Sequence, residues 1–247
     1  MTRKEPPLRF VLTTLLILLI VAVVNSMFSL GSIPFALTIL AIYTAYFVYG
    51  IRHKDHTIWL WLLFGFVTGL VEVASDCDYF LVEEMKVLVY PYDVPKIGVS
   101  PAYLPFAWGL IFTILGLLGE WIRLRRSLLV SSLAVALTGG AVISIFENLA
   151  RQAGWWYYQD TPMLVWAPYF VNVFEFLSTL LIVPAGWRIT RASVERAYVW
   201  ALGMGAVMGI WMCLAMRISF WLLGPCEGAA IQLPCIPVSL PPVWQGQ

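Results

Sequence analysis

Residues 57–82 read TIWLWLLFGFVTGLVEVASDCDYFLV, and the fold turns on this stretch. A hydrocarbon core about 30 Å thick needs about 20 residues of helix, and this run suffices although Glu72, Asp76 and Asp78 lie toward its far end. Comparable apolar runs occur at about 8–30, 33–51, 101–122, 127–150, 163–187 and 198–223. The expected fold is therefore all-α: a polytopic membrane helix bundle of seven transmembrane helices, one transmembrane domain over residues 1–247, ending in a proline-rich tail from 224 to 247. Composition agrees, with 61% hydrophobic and 12% charged residues, where soluble domains carry about 25% charge.

The first run follows Arg3 and Lys4 as a signal peptide would, but its apolar stretch is long and Val24-Asn25-Ser26-Met27 is a poor cleavage site, so it reads as a retained helix. With the N-terminus in the cytoplasm, cytoplasmic segments hold Arg3, Lys4, Arg9, Arg52, Lys54, Arg123, Arg125, Arg126, Arg188, Arg191 and Arg196; the other side holds Lys86, Lys96 and Arg151. This asymmetry obeys the positive-inside rule. It predicts a cytoplasmic N-terminus, an extracytoplasmic C-terminus and a multi-pass location in a cell membrane of the bacterial cytoplasmic type.

Gly65-x-x-x-Gly69 and the series Ala201, Gly205, Gly209 have the small-residue spacing of close helix contacts. Residues 83–100, with Pro91, Pro95 and Gly98, and the tail from Gly224 are the segments able to cap the bundle, and Cys226 and Cys235 are placed for a disulfide in an oxidising compartment. No internal repeat is visible along the chain.

Several function classes are excluded. A net charge of +1 suggests no nucleic-acid partner. Four cysteines without a CxxC pair, and two histidines, His53 and His56, in one short link, suggest neither a metal site nor a haem, and no cofactor is expected. Lys4, Lys54, Lys86 and Lys96 all lie outside the spans, so a retinal Schiff base has no attachment point. Asp76-Cys77-Asp78 is one short acidic cluster, where diphosphate-binding prenyltransferases carry two longer ones.

Carboxyl groups inside spans carry the functional signal, because a charge at the bilayer centre costs at least about 2.5 kcal/mol and such groups face a polar interior. Counting about 1.5 Å per residue puts Glu72 and Glu175 near the midplane at comparable depth. Asp76 stands one turn from Glu72, and Asn172 one turn from Glu175. Asp78, Glu147 and Asn148 lie nearer the boundary, close to Trp155-Trp156-Tyr157-Tyr158 and to Pro168-Tyr169-Phe170-Val171-Asn172. Structural readings stand beside these: neutral acids bonded to neighbouring helices, Glu147 paired with Arg151, the aromatic run as an interfacial belt, Arg217 reaching to the surface, and Glu120 as a partner of Arg123.

The layout of seven spans, with acids in the third and Ser100-Pro101-Ala102-Tyr103-Leu104-Pro105-Phe106-Ala107-Trp108 opening the fourth, resembles small integral-membrane carotenoid hydratases. It is similar in size and plan to seven-helix membrane terpene cyclases. The resemblance implies an enzyme, of lyase or isomerase type, acting on a lipophilic isoprenoid or carotenoid-like small molecule drawn from the bilayer. An acid protonates an alkene, aromatic faces stabilise the carbocation, and water or a second double bond captures it. On that expectation Glu72, Glu175 and Asp76 are catalytic, and Asn172, Trp155, Trp156, Tyr158, Tyr169 and Glu147 bind substrate. Two other readings stay open: a non-catalytic subunit or pigment-binding assembly factor whose membrane-complex partner is unknown, and a proton-coupled carrier, against which seven unequal spans without a visible repeat count, since many carriers are built from duplicated halves.

Overall fold

The computed structural model describes residues 6–74, 77–226, 229–233 and 235. Seven helices are long and apolar enough to cross a membrane: α1 Leu8–Phe28, α2 Ser32–His53, α3 His56–Ala74, α4 Leu104–Arg123, α5 Leu128–Ala153, α6 Tyr169–Arg191 and α7 Val194–Leu223. This is a multi-pass membrane protein. Its outer face is apolar, as lipid contact requires: α1 and α2 expose Leu16, Ile20, Leu37 and Phe47.

Helix ends follow local chemistry. Gly154 closes α5 with a left-handed φ of 78° and returns its N–H to the Ala150 carbonyl. At the start of α5 the Ser127 hydroxyl accepts the Val130 N–H at 3.3 Å. Helix α6 breaks at Leu181, because Pro184 has no N–H for the Leu180 carbonyl. Helix α3 is described over His56–Ala74; past residues 75 and 76, which lie outside the described residues, a helical turn, Cys77–Tyr79, leads into a wide π-type turn, Phe80–Glu84. Two boundaries depart from hydropathy. Helix α6 starts at Tyr169 rather than 163, since the residue before Pro168 is forced into extended backbone and 163–168 form a hairpin instead. Helix α7 starts earlier than expected, at Val194, with Glu195 in its first turn complementing the helix dipole.

Helix α3 is the centre of the bundle. Gly65 and Gly69 bring it against α4, where an added Cβ would sit 2.7 Å from the Gly109 carbonyl oxygen and 2.9 Å from Pro105 Cα. On its other side Gly205 and Gly209 of α7 meet the Phe64 and Thr68 carbonyls, each at 2.8 Å from such a Cβ.

The structure contains a repeat that the sequence does not display. Helix α3, after the added turns Cys77–Tyr79 and Phe80–Glu84, is followed by β1 (Leu88–Val89), a hairpin of β2 (Lys96–Ile97) and β3 (Ser100–Pro101), then α4. Helix α5 is followed in the same order by β4 (Tyr157–Tyr158), a hairpin of β5 (Met163–Leu164) and β6 (Ala167–Pro168), then α6. Strands β1 and β4 pair antiparallel, Leu88 opposite Tyr158 and Val89 opposite Tyr157, as two-fold-related units do. Pro101 and Pro168 hold the same hairpin position, opposite Lys96 and Met163.

These loops cap one end of the bundle. Asp93 accepts the Ser32 N–H at the start of α2 at 2.6 Å, and the Trp155 indole donates to the Gly31 carbonyl at 3.1 Å. Cys77 is bonded to Cys213 of α7, and Cys226 to Cys235; the second pairing is the expected one. Most of the tail, 236–247, lies outside the described residues. The opposite end is rich in arginine, and there Arg123 holds Glu120 through Nη2 at 2.6 Å and Nε at 2.9 Å.

Candidate functional site

A cavity of about 110 Å³ lies beneath the cap, where the two repeated units face each other. The first unit contributes Glu72, Asp78, Tyr90 and Trp108; the second contributes Glu147, Trp156, Tyr158, Phe174 and Glu175. Leu18, Phe35 and Ile39 close it from α1 and α2, and Met216 from α7. Its wall is mostly apolar, yet four carboxyl groups reach it, and among the described lining residues there is no lysine, arginine or histidine. All four acids are buried.

Each carboxyl has its own surroundings. Glu72 lies close enough to Asp78 and Glu175 for electrostatic interaction, Trp108 lines the cavity with it, and its Oε2 has no partner. Glu175 likewise leaves Oε2 buried and unpartnered. Glu147 Oε2 accepts the Trp156 indole N–H at 2.8 Å, and Tyr158 lies beside the same carboxyl, close enough to interact with it electrostatically. Asp78 Oδ2 accepts the Ser100 hydroxyl at 2.5 Å and the Tyr90 hydroxyl at 3.1 Å. Burial pushes the Asp78 carboxyl above the usual carboxylate range, and those two hydroxyls pull it partly back. Tyr90 and Tyr158 are raised well above the ordinary phenol value, first by burial and then by the carboxyls nearby, so both remain O–H donors.

Of the residues singled out from sequence, Glu72, Glu175, Glu147, Trp156 and Tyr158 line this cavity. Trp155 does not: it stacks on Phe35 with ring centroids 3.7 Å apart and ties α2 to α5. Asn172 is occupied between α5 and α6, bonded by the Ser144 hydroxyl and donating to the Pro168 carbonyl at 2.9 Å. Tyr169 opens α6 with its N–H on the Pro162 carbonyl, away from the cavity lining. Asp76 lies outside the described residues. The guanidinium of Arg151 stacks over Trp166 at 4.4 Å, while Glu147 turns to Trp156.

Trp108, Tyr90 and Asp78 complete the lining and were not among the site residues read from sequence. Trp108 stands in the quoted Ser100–Trp108 stretch, and Asp78 was placed near the boundary. Tyr90 carries no sequence signal, since only the β1–β4 pairing brings it inward.

A second cavity, of about 640 Å³, opens at the arginine-rich end, lined by Lys54, Asp55, His56, Glu120 and Arg191 among others. It is larger, but its acids are already engaged: Glu120 with Arg123, and Asp55 with the Thr57 N–H at 3.0 Å. The smaller cavity holds the unsatisfied groups, and chemistry rather than volume makes it the candidate. Among the described residues no group of three His, Cys, Asp or Glu is arranged to hold a metal ion.

No curated protein and no solved structure matches the chain. The model of one family, described as Domain of unknown function (DUF6989), matches residues 76–223, which takes in the cap loops and α4 to α7 and covers more than half of the sequence. The chain belongs to the DUF6989 family.

Proposed function

We propose that the protein is an integral membrane enzyme that acts on a lipophilic isoprenoid by acid-catalysed protonation of an alkene, ending in hydration or cyclisation. One observation carries the reading: Glu72 and Glu175, from helices far apart in sequence, share an aromatic-walled cavity in which an oxygen of each carboxyl has no partner. With no lining cation, protons rather than counter-ions are available to neutralise the cluster. A carboxylic acid in such a site can form a C–H bond to an alkene carbon. The faces of Trp108, Trp156, Tyr158 and Phe174 then stabilise the carbocation through their quadrupoles.

Size narrows the substrate. About 110 Å³ is well below the roughly 300–1,000 Å³ of sites that engulf drug-sized ligands, and near the roughly 150 Å³ that admits benzene. The cavity accepts the branched end of a polyene, one isoprene unit, and the remainder of the chain stays among the helices or in lipid. A proton-coupled carrier is the second reading, favoured by the repeated α3–α4 and α5–α6 units, since duplicated halves are a common carrier plan. The N-terminus is placed in the cytoplasm and the C-terminus outside, supported by the arginine asymmetry; reporter fusions at the two termini test this.

The experiment is to express wild type, Glu72→Gln and Glu175→Gln in hosts making linear carotenoid or polyprenyl precursors and to profile lipid extracts by mass spectrometry. The expected result is a product one water heavier, or an isomer of unchanged mass, seen with wild type and lost in both variants at equal protein level. Extracts that match the empty vector for every precursor sink the enzyme reading and give precedence to the carrier, which proton uptake into proteoliposomes tests directly.

A further inference from the structure

The four carboxyl groups of the cavity divide by what they are offered. Glu72 and Glu175 each keep a buried oxygen without a donor, whereas a single oxygen of Asp78 receives two hydroxyls, from Ser100 and Tyr90. Hydrogen bonds to an ionised acceptor are roughly twice as strong as neutral ones, so the Asp78 site is built to hold the anion and the Glu72 site is not. Surroundings that differ in this way separate acid from base within one active site. Asp78 lines the same cavity as Glu72 and lies close enough for the two carboxyls to interact electrostatically. Its chain neighbours hold it in place: Cys77 is anchored to α7 by the disulfide, and Tyr79 points outward, 45% exposed, while Asp78 itself is buried.

We infer that Asp78 is the proton acceptor of the site and the relay through which the Glu72 carboxyl is reloaded. The inference rests on the alkene-protonation reading for its chemistry. In the cycle the Glu72 O–H bond breaks as a C–H bond forms on the alkene, leaving a carbocation and a Glu72 carboxylate. In cyclisation or isomerisation the electron pair of a C–H bond beside the cationic carbon becomes the new double bond, and its proton passes to Asp78. In hydration a water oxygen forms the C–O bond, and the surplus proton of that oxygen passes to Asp78. Transfer of this proton from Asp78 to Glu72 restores both groups, and nothing is oxidised or reduced.

The relay can be measured without a substrate. Full-length protein in phosphatidylcholine vesicles is transferred from H2O to D2O and followed by infrared difference spectroscopy. The carboxylic C=O band of Glu72 is identified by its loss in Glu72→Gln. The expected result is prompt deuteration of that band in wild type, exchange slower by at least about tenfold in Asp78→Asn, and recovery in Asp78→Glu. Exchange in Asp78→Asn at the wild-type rate, or the absence of any carboxylic band that depends on Glu72, overturns the inference. A parallel assay in a host making a linear carotenoid separates the two ideas. If wild type makes no product, the enzyme reading fails while the exchange result stands on its own. If wild type makes product and Asp78→Asn matches its turnover, the acceptor role is overturned.

Discussion

Glu72 on α3 and Glu147 on α5 belong to the first helices of two units built in the same order, and both reach the same cavity. Their surroundings are opposite. Glu147 is held by the indole of Trp156 from its own unit, with Tyr158 beside it; Glu72 keeps an oxygen free, while two hydroxyls of the first unit, from Tyr90 and Ser100, are spent on Asp78. A repeated scaffold thus presents one carboxyl that is already satisfied and one that is not. Only the second has capacity left for a ligand or a proton transfer.

The largest expected effect breaks this contrast directly. Glu72→Gln should lower product formation by about 10²–10⁴-fold, the usual contribution of a positioned acid, whereas Glu147→Gln should cost less than about tenfold, since the Trp156 indole can donate to the amide oxygen. Turnover per unit of protein, read from the lipid extracts, checks both. Equal losses would mean that the two carboxyls act as one group and that the distinction drawn from their hydrogen bonds has no catalytic meaning.

A second comparison concerns what holds the first unit in place. Gly205 of α7 presses on α3, with a Cβ predicted 2.8 Å from the Phe64 carbonyl oxygen and 2.9 Å from Val67 Cβ, while Gly203, two residues away, faces open space. Gly205→Leu should destabilise the bundle by at least about 1–3 kcal/mol through overpacking against backbone, seen as a lower melting temperature in detergent. Gly203→Leu should leave the melting temperature unchanged.

The seven spans and these glycine contacts were legible in the sequence, because the bilayer imposes a length of about 20 apolar residues and close helix approach demands small side chains. Span ends were less so. Residues 163–168 are as apolar as a helix, and only Pro168, through its restriction on Ala167, marks the hairpin. Depth along a helix could be counted, which paired Glu72 with Glu175, but the azimuth that turns Asn172 toward Ser144 and Trp155 toward Gly31 depends on neighbours. The repeat was hidden for the same reason: Ser100-Pro101 and Ala167-Pro168 match in shape and position, but little in the flanking side chains advertises it. Asp78 draws its donors from residues 12 and 22 positions away, beyond any local pattern.

The smallest effects test the anchors of the two hairpin loops, where the units again solve one problem in different ways. The second loop is tied to its own unit by the Trp166 N–H donating to Asn148 Oδ1 of α5 at 2.8 Å, and to the end of α7 by the Thr161 hydroxyl on the Gly224 carbonyl at 2.5 Å. The first is tied to α2 instead, Asp93 taking the otherwise unpaired Ser32 N–H, where a carboxylate also complements the positive helix end. Asn148→Ala removes two neutral bonds, from the Trp166 N–H and to the Ser144 carbonyl, and should cost about 0.5–1.5 kcal/mol for each. Asp93→Ala removes a cap and should cost about 0.5–2 kcal/mol, and because it unties the cap from α2 it should also speed amide hydrogen exchange over residues 90–100, the segment that carries Tyr90 and Ser100. Faster exchange there in Asp93→Ala but not in Asn148→Ala would show that the donors of Asp78 are held in place by α2. Equal exchange in the two variants would mean that the β1–β4 pairing alone positions them.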